Sequence, residues 1–185
     1  MDAWQLLNER VSCPKVGTSG PDAAQLDQLL RAALSAPDHG LLRPTRLLVL
    51  QGDDLVRLGD IFVQAAKVGQ PALDETALAR LHAKALRAPM VLVAVAEVTE
   101  GHKVPVIEQV MSTACAVEHI MLAAHAMGLG AMWRTGELAY DENVKRALGF
   151  AAKDEIVAFI YLGQPAGDVK GRAPADPVSL LRQLP

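Results

Sequence analysis

The chain has 185 residues, 51% of them apolar but only 4% aromatic, and a formal net charge of −3. That length suits one domain over residues 1–185, with a sizeable core built from Ala, Leu and Val. The composition excludes several classes: scattered basic residues leave no electrostatic footprint for nucleic acid, and no uncharged apolar run reaches the roughly 18–20 residues that span a bilayer.

In chain order, the opening "MDAWQLLNER" lacks the basic and apolar regions of a secretory signal. Asp2 instead caps a helix over Ala3–Glu9, which ends before the irregular "VSCPKVGTSGP". A second helix starts at Pro21-Asp22, with Leu26, Leu29, Leu30, Ala33 and Leu34 as its apolar stripe. Pro37 stops it, because the residue before a proline is pushed out of the α region. Thr45–Gln51 reads as a strand. "DDLVRLGDIFVQAAK" and "LDETALARLHAKALR" are helices, the second more polar and capped around Asp74. "PMVLVAVAEV" is a strand apolar on both faces. The longest helix runs from about Pro105 to Gly128 and is apolar around most of its circumference, the pattern of a buried helix. A strand (Gly130–Arg134), a polar helix ("YDENVKRALG") and a strand ("EIVAFIYLG") follow, then a Pro/Gly-rich tail. Strands separated by helices of unequal length, without steady βαβ alternation, predict an α+β fold with one central sheet.

Several motifs fail. "GLGAMWRTG" has Trp133 where a dinucleotide-binding loop needs its third glycine, and it leads from helix to strand, the reverse of that order. His119 and His125 are six apart and cannot share a helix face as zinc ligands must, so no metal site is expected. Cys13 and Cys115 form neither a disulfide framework nor a zinc pattern, which makes a reducing cytoplasm the default compartment. Cys115, among alanines, reads as a buried inert thiol.

Three segments look out of place as plain structure. Arg10 and Ser12 emerge where the first helix ends, a pair suited to an anionic phosphate and its hydroxyls, or else, as the residues alone favour, a solvated helix end. His39 sits in a helix-forbidding bracket between Pro37 and Pro44, which suits presenting a side chain to a ligand, or else is a stiff loop with a cap. In "MWRTG", Trp133 and Arg134 offer a stacking plane and a cationic fork at a strand end, or else a core Trp beside a surface Arg.

Taken with their order and spacing, these segments resemble the FMN-dependent nitroreductase family, in its minimal bacterial branch. The resemblance covers nearly the whole chain: "MDAWQLLNERVS", "RAALSAPDHGLLRPTRLLVL", "GHKVPVIEQVMSTACAV", "GLGAMWRTG" and "DEIVAFIYLGQP". It implies a mainly antiparallel sheet flanked by helices, and an intertwined homodimer with two FMN sites at its interface. The long helix would lie in the dimer core. Carried over residue by residue, Arg10 and Ser12 match flavin contacts, with Val11 (through its backbone N–H) and Ser35 at two further cofactor-binding positions. His39 matches a contact supplied by the partner subunit, and Trp133, Arg134 and Thr135 a further contact set. Lys170 and Arg172 lie where relatives keep a phosphate-binding cation. NAD(P)H would pass hydride through the flavin to an electron-poor acceptor, nitroaromatic or quinone-like, in a ping-pong cycle. Arg10 or Lys15 would steady the charge of the reduced ring.

Three positions depart from the family pattern: Val11 replaces a second basic residue, Ser35 an Arg, and Thr45 a Trp. Each lost cationic hydrogen bond weakens phosphate binding by about 1.5–3 kcal/mol if uncompensated. These departures motivate an alternative from another class, a dimer of the same fold that binds FMN weakly or not at all and acts as a ligand-binding or interaction module.

Overall fold

The apolar runs pair into one sheet. In the computed structural model, which describes residues 1–167, 169–171, 173 and 175–184, the strands are β1 (Thr45–Gln51), β2 (Met90–Ala96), β3 (Gly130–Arg134) and β4 (Glu155–Gly163). All pairings are antiparallel, in the order β1-β2-β4-β3. The two innermost strands are the two most continuously apolar runs, because a strand with neighbours on both edges and helices on both faces meets no water. Every residue of β2 is buried.

The period of two then divides the core. Leu92, Ala94, Ala158 and Ile160 face α2 (Ala23–Leu34) and α5 (Val106–Ala126). Val91, Val93, Val95, Phe159 and Tyr161 face α3 (Asp53–Gly69) and α4 (Glu75–Ala85), together with α6 (Glu137–Tyr140) and α7 (Glu142–Ala147). On that second face Phe62 of α3 meets Phe159 edge-on at 5.5 Å, a contact worth about 0.5–1.5 kcal/mol beyond its area. Helices α3 and α4 approach closely at Gly59, where an added Cβ would lie 2.7 Å from the His82 ring.

The helix starts follow their caps. Asp2 accepts the Gln5 N–H at 2.8 Å and begins α1 (Ala3–Glu9), while Asp74 accepts from Ala77 at 2.7 Å and begins α4. Asp22 and Gln25 exchange bonds as a capping box, so α2 begins at Ala23 and Pro21 stays outside it. Helix α6 was not expected from the sequence. It is a single turn after Gly136, ended by Asp141, which caps α7 through Asn143 and Val144.

The long helix departs from expectation in one respect. By length and composition α5 could cross a bilayer, yet it packs along the sheet through Ala116, Val117, Ile120 and Ala124. Its opposite face is open in the single chain: Ile107 is 58% and Met111 56% exposed. Cys115 lies on that open face and is exposed, not buried as the alanine-rich context suggested. An apolar composition around a helix reports the sum of its surroundings and not which of them one chain supplies.

Candidate functional site

Strand β3 is a sheet edge, and its alternation sends Met132 and Arg134 to the α3/α4 face and Trp133 to the α2/α5 face. After Arg134 the chain turns at Gly136, whose φ of 69° suits glycine, and enters α6. Between this turn, the end of α4 and the surface of β4 lies a cavity of about 360 Å³. Phe62, Met132 and Phe159 form its apolar wall, and Lys84, Arg87 and Arg134 bring three cations to it. Among the described residues none of the three has an ion pair or a side-chain hydrogen bond. The Arg134 guanidinium instead lies over Tyr161, 5.8 Å from the ring centroid. Burial pushes the Tyr161 phenol above the usual 10.0, with the charges of Arg87 and Arg134 pulling the other way. At neutral pH this hydroxyl keeps its proton.

The N-terminal candidates arrive at the same edge. The Cys13 N–H donates to the Ala131 carbonyl at 2.8 Å, which delivers Arg10, Val11 and Ser12 to the outside of β3. Ser12 is exposed and Val11 half-buried. Arg10 turns toward α5, where its Nε lies 3.1 Å from Glu118. Lys15 points to solvent, and its carbonyl accepts from the Cys13 thiol and the Ala166 N–H. Thr135 is exposed and lines the cavity. Trp133 also borders it, but the indole N–H donates to the Val157 carbonyl at 3.0 Å and the ring packs in the α2/α5 core. The structure thus favours a core Trp over a stacking plane. Lys170 is exposed in a segment without regular structure, and Arg172 lies outside the described residues.

Ser35 and His39 are elsewhere. Ser35 ends α2, with its hydroxyl donating to the Ala32 carbonyl at 2.7 Å and lying 3.0 Å from His119 Nδ1. His39 sits in a short 3-10 turn (His39–Leu41) with its Nδ1 against the Glu108 carboxylate of α5. That loop holds Leu41 and Arg43 at φ of 54° and 52°, conformations costing roughly 1–2 kcal/mol each. Two bonds offset this: Asp38 accepts the Arg43 N–H, and Ser112 donates to the Pro37 carbonyl, both at 2.7 Å. The bracket presents His39 outward, 61% exposed. Thr45 begins β1, its hydroxyl 3.1 Å from that of Thr113.

β1 and β3 are opposite edges, three strand spacings or about 14 Å apart. One chain therefore gathers Arg10–Ser12 with Trp133–Thr135 and leaves Ser35 and His39 at the other edge. The sequence reading missed Lys84 and Arg87. Their spacing on an amphipathic helix was visible, but which cavity that helix borders was not. A second cavity, of about 480 Å³, adjoins the first between α3, α4 and α6, sharing Lys84, Glu137 and Leu138 with it.

Comparison with known proteins agrees with this architecture. The model of the "Nitroreductase family" matches residues 7–164. The chain is 38% identical over 165 residues to the "Putative NAD(P)H nitroreductase YdjA" of Escherichia coli (strain K12), covering 89% of each. It is 35% identical over 164 residues to a protein of Haemophilus influenzae, "Putative NAD(P)H nitroreductase", covering 88% of each. Among solved structures, a nitroreductase-like family protein from Bacillus cereus superposes with a TM-score of 0.85 at 20% identity, over 100% of this chain and 96% of that one. A nitroreductase with bound FMN from Bacteroides fragilis gives 0.75 at 18% identity, over 100% of both. The chain belongs to the nitroreductase family.

Proposed function

We propose that the protein is a cytoplasmic FMN-dependent oxidoreductase acting as a homodimer, which moves hydride from NAD(P)H to an electron-poor acceptor, nitroaromatic or quinone-like, in two half-reactions at one site. The observation that carries this reading is the cavity at the end of β3, where an apolar wall stands beside Arg87 and Arg134, neither of which has an ion pair among the described residues, with Glu137 as the carboxylate in the lining. Such a donor set suits a flat, electron-accepting ring that gains negative charge, and relatives of this fold have been solved with FMN.

When bound, FMN supplies the hydride chemistry between reductant and acceptor. The protein's share is positioning and electrostatics. Arg87 and Arg134 favour the negative charge that reduction brings to the cofactor, in a site partly shielded from water. This moves the role from Arg10 and Lys15, since Arg10 already faces Glu118. Ser12, with the N–H of Val11, offers hydrogen bonds at the β3 edge. The separation of the two residue sets supports the dimer: a second copy, packed on the open face of α5, brings the partner subunit's His39 to the edge that lacks it.

A second reading is favoured by specific observations. Val11, Ser35 and Thr45 remove side chains that the family uses, and Arg10 is paired within the chain. On that reading the protein is a nitroreductase-fold dimer acting as a ligand-binding module. A visible spectrum of the desalted protein separates the two, taken before and after FMN and then after NADH without oxygen. The expected result is a protein-bound flavin band that bleaches with NADH. A colourless protein that ignores excess FMN overturns the enzyme reading.

A further inference from the structure

On α4 the residues Arg80 and Lys84 stand at i and i+4, and so fall on one face of the helix, with Arg87 in the turn just past its end. Arg80 and Lys84 both line the second cavity, and Lys84 lines the first as well. Like charges at i and i+4 repel each other, and among the described residues neither has an ion pair or a side-chain hydrogen bond. Across the cavity the Asp141 carboxylate is engaged in capping α7, which leaves Glu137 as the carboxylate facing them. Ala65, Leu73 and Leu81 make the remaining wall apolar.

We propose that Arg80 and Lys84 hold the pyrophosphate of the reduced nicotinamide dinucleotide, with its nicotinamide in the first cavity and its nucleoside end against the apolar wall of the second. The inference rests on the flavin reading above. It follows from what each ligand needs. A dinucleotide that reaches a ring beside Arg134 must carry two phosphates out through adjoining space, and the unpaired cations of α4 border that space. A nitroaromatic or quinone acceptor is compact and carries no phosphates, so it gives the stripe nothing to bind.

The test is calorimetric titration of the full-length protein with ADP-ribose, the dinucleotide without its nicotinamide, against Arg80→Glu, Arg80→Gln and Lys84→Gln. The wild type binds, and each variant loses affinity by about tenfold or more, the effect of removing one charge-assisted contact. Binding weakens with added salt in the wild type and less so in the variants. No binding to the wild type, or equal affinity across the series, overturns the inference. Circular dichroism and FMN content certify each variant, and the milder Arg80→Gln serves where the charge reversal disturbs α4.

A kinetic arm excludes an indirect effect. In flavin-loaded protein KM for NAD(P)H rises in Arg80→Glu, while 1-methyl-1,4-dihydronicotinamide, which has no phosphate, reduces wild type and variant equally well. Equal losses with both reductants overturn the assignment. A flavin-free protein that binds ADP-ribose through Arg80 keeps the stripe and removes the flavin reading. A flavoprotein indifferent to Arg80 and Lys84 does the reverse.

Discussion

Tyr161 shows how far a side chain's neighbours set its chemistry. Its phenol is held above 10.0 mainly by burial, against the opposing pull of Arg87 and Arg134. A phenol that ionises later in the folded state than in the unfolded one stabilises the fold fully below pH 10.0, and loses that contribution as pH climbs toward the folded value. Tyr161→Phe is therefore expected to flatten the fall of melting temperature between pH 9 and 12 relative to wild type, as thermal melts across that range will read. Arg10 poses a different question, because one guanidinium has two claimants. The pair with Glu118 is half exposed on the carboxylate side, and such pairs contribute under about 1 kcal/mol. The reversed pair, Arg10→Glu with Glu118→Arg, is expected to keep the melting temperature within a few degrees of wild type. If Arg10 holds the cofactor phosphate, the same double variant loses FMN affinity by about tenfold or more in a fluorescence titration.

At the scale of elements, caps and loops position the site. The capping box of α2 satisfies two N–H groups that the helix itself cannot. Asp22→Ala is expected to cost about 1 kcal/mol, a drop of about 2–4 °C in melting temperature for a chain of this size. The loop from Pro37 to Pro44 is tied to α5 through Ser112 and Glu108, so α5 fixes where His39 points. Ser35 lies exposed at the end of α2, where the family pattern carries an arginine. Ser35→Arg is expected to tighten FMN by about tenfold, through one added charge-assisted bond; an unchanged Kd would locate the phosphate elsewhere.

Over the whole molecule, the separation of the two residue sets makes assembly and cofactor binding one question. Ile107 and Met111 stand one turn apart on the open face of α5, with Cys115 the next turn along. Exposed apolar groups in such a row mark an interaction surface. Met111→Glu is expected to leave the single chain folded, since Met111 is 56% exposed there. On the proposed dimer it shifts sedimentation from dimer to monomer, with FMN retention falling in step. Full FMN retention in a monomeric variant would show that one chain suffices.

The sequence by itself determined most of the elements, the single turn of α6 excepted. The bounds of β1, β3 and β4 and the caps at Asp2 and Asp74 follow from local causes, short continuous apolar runs and side-chain oxygens that meet the first free N–H groups. The family resemblance pointed to Arg10–Ser12 and Trp133–Thr135, which do meet at one edge. Tertiary structure alone decided the rest. Pairing of strands far apart in the chain put β1 and β3 on opposite edges, and so divided the candidate residues between them. Packing of α4 on α3 set Lys84 and Arg87 beside Arg134, packing of α2 and α5 on the other sheet face took in the Trp133 ring, and α5 gave Arg10 a carboxylate partner. These outcomes depend on contacts across many tens of residues, where local propensity carries no information and only the joint burial of two helix-covered sheet faces selects the arrangement.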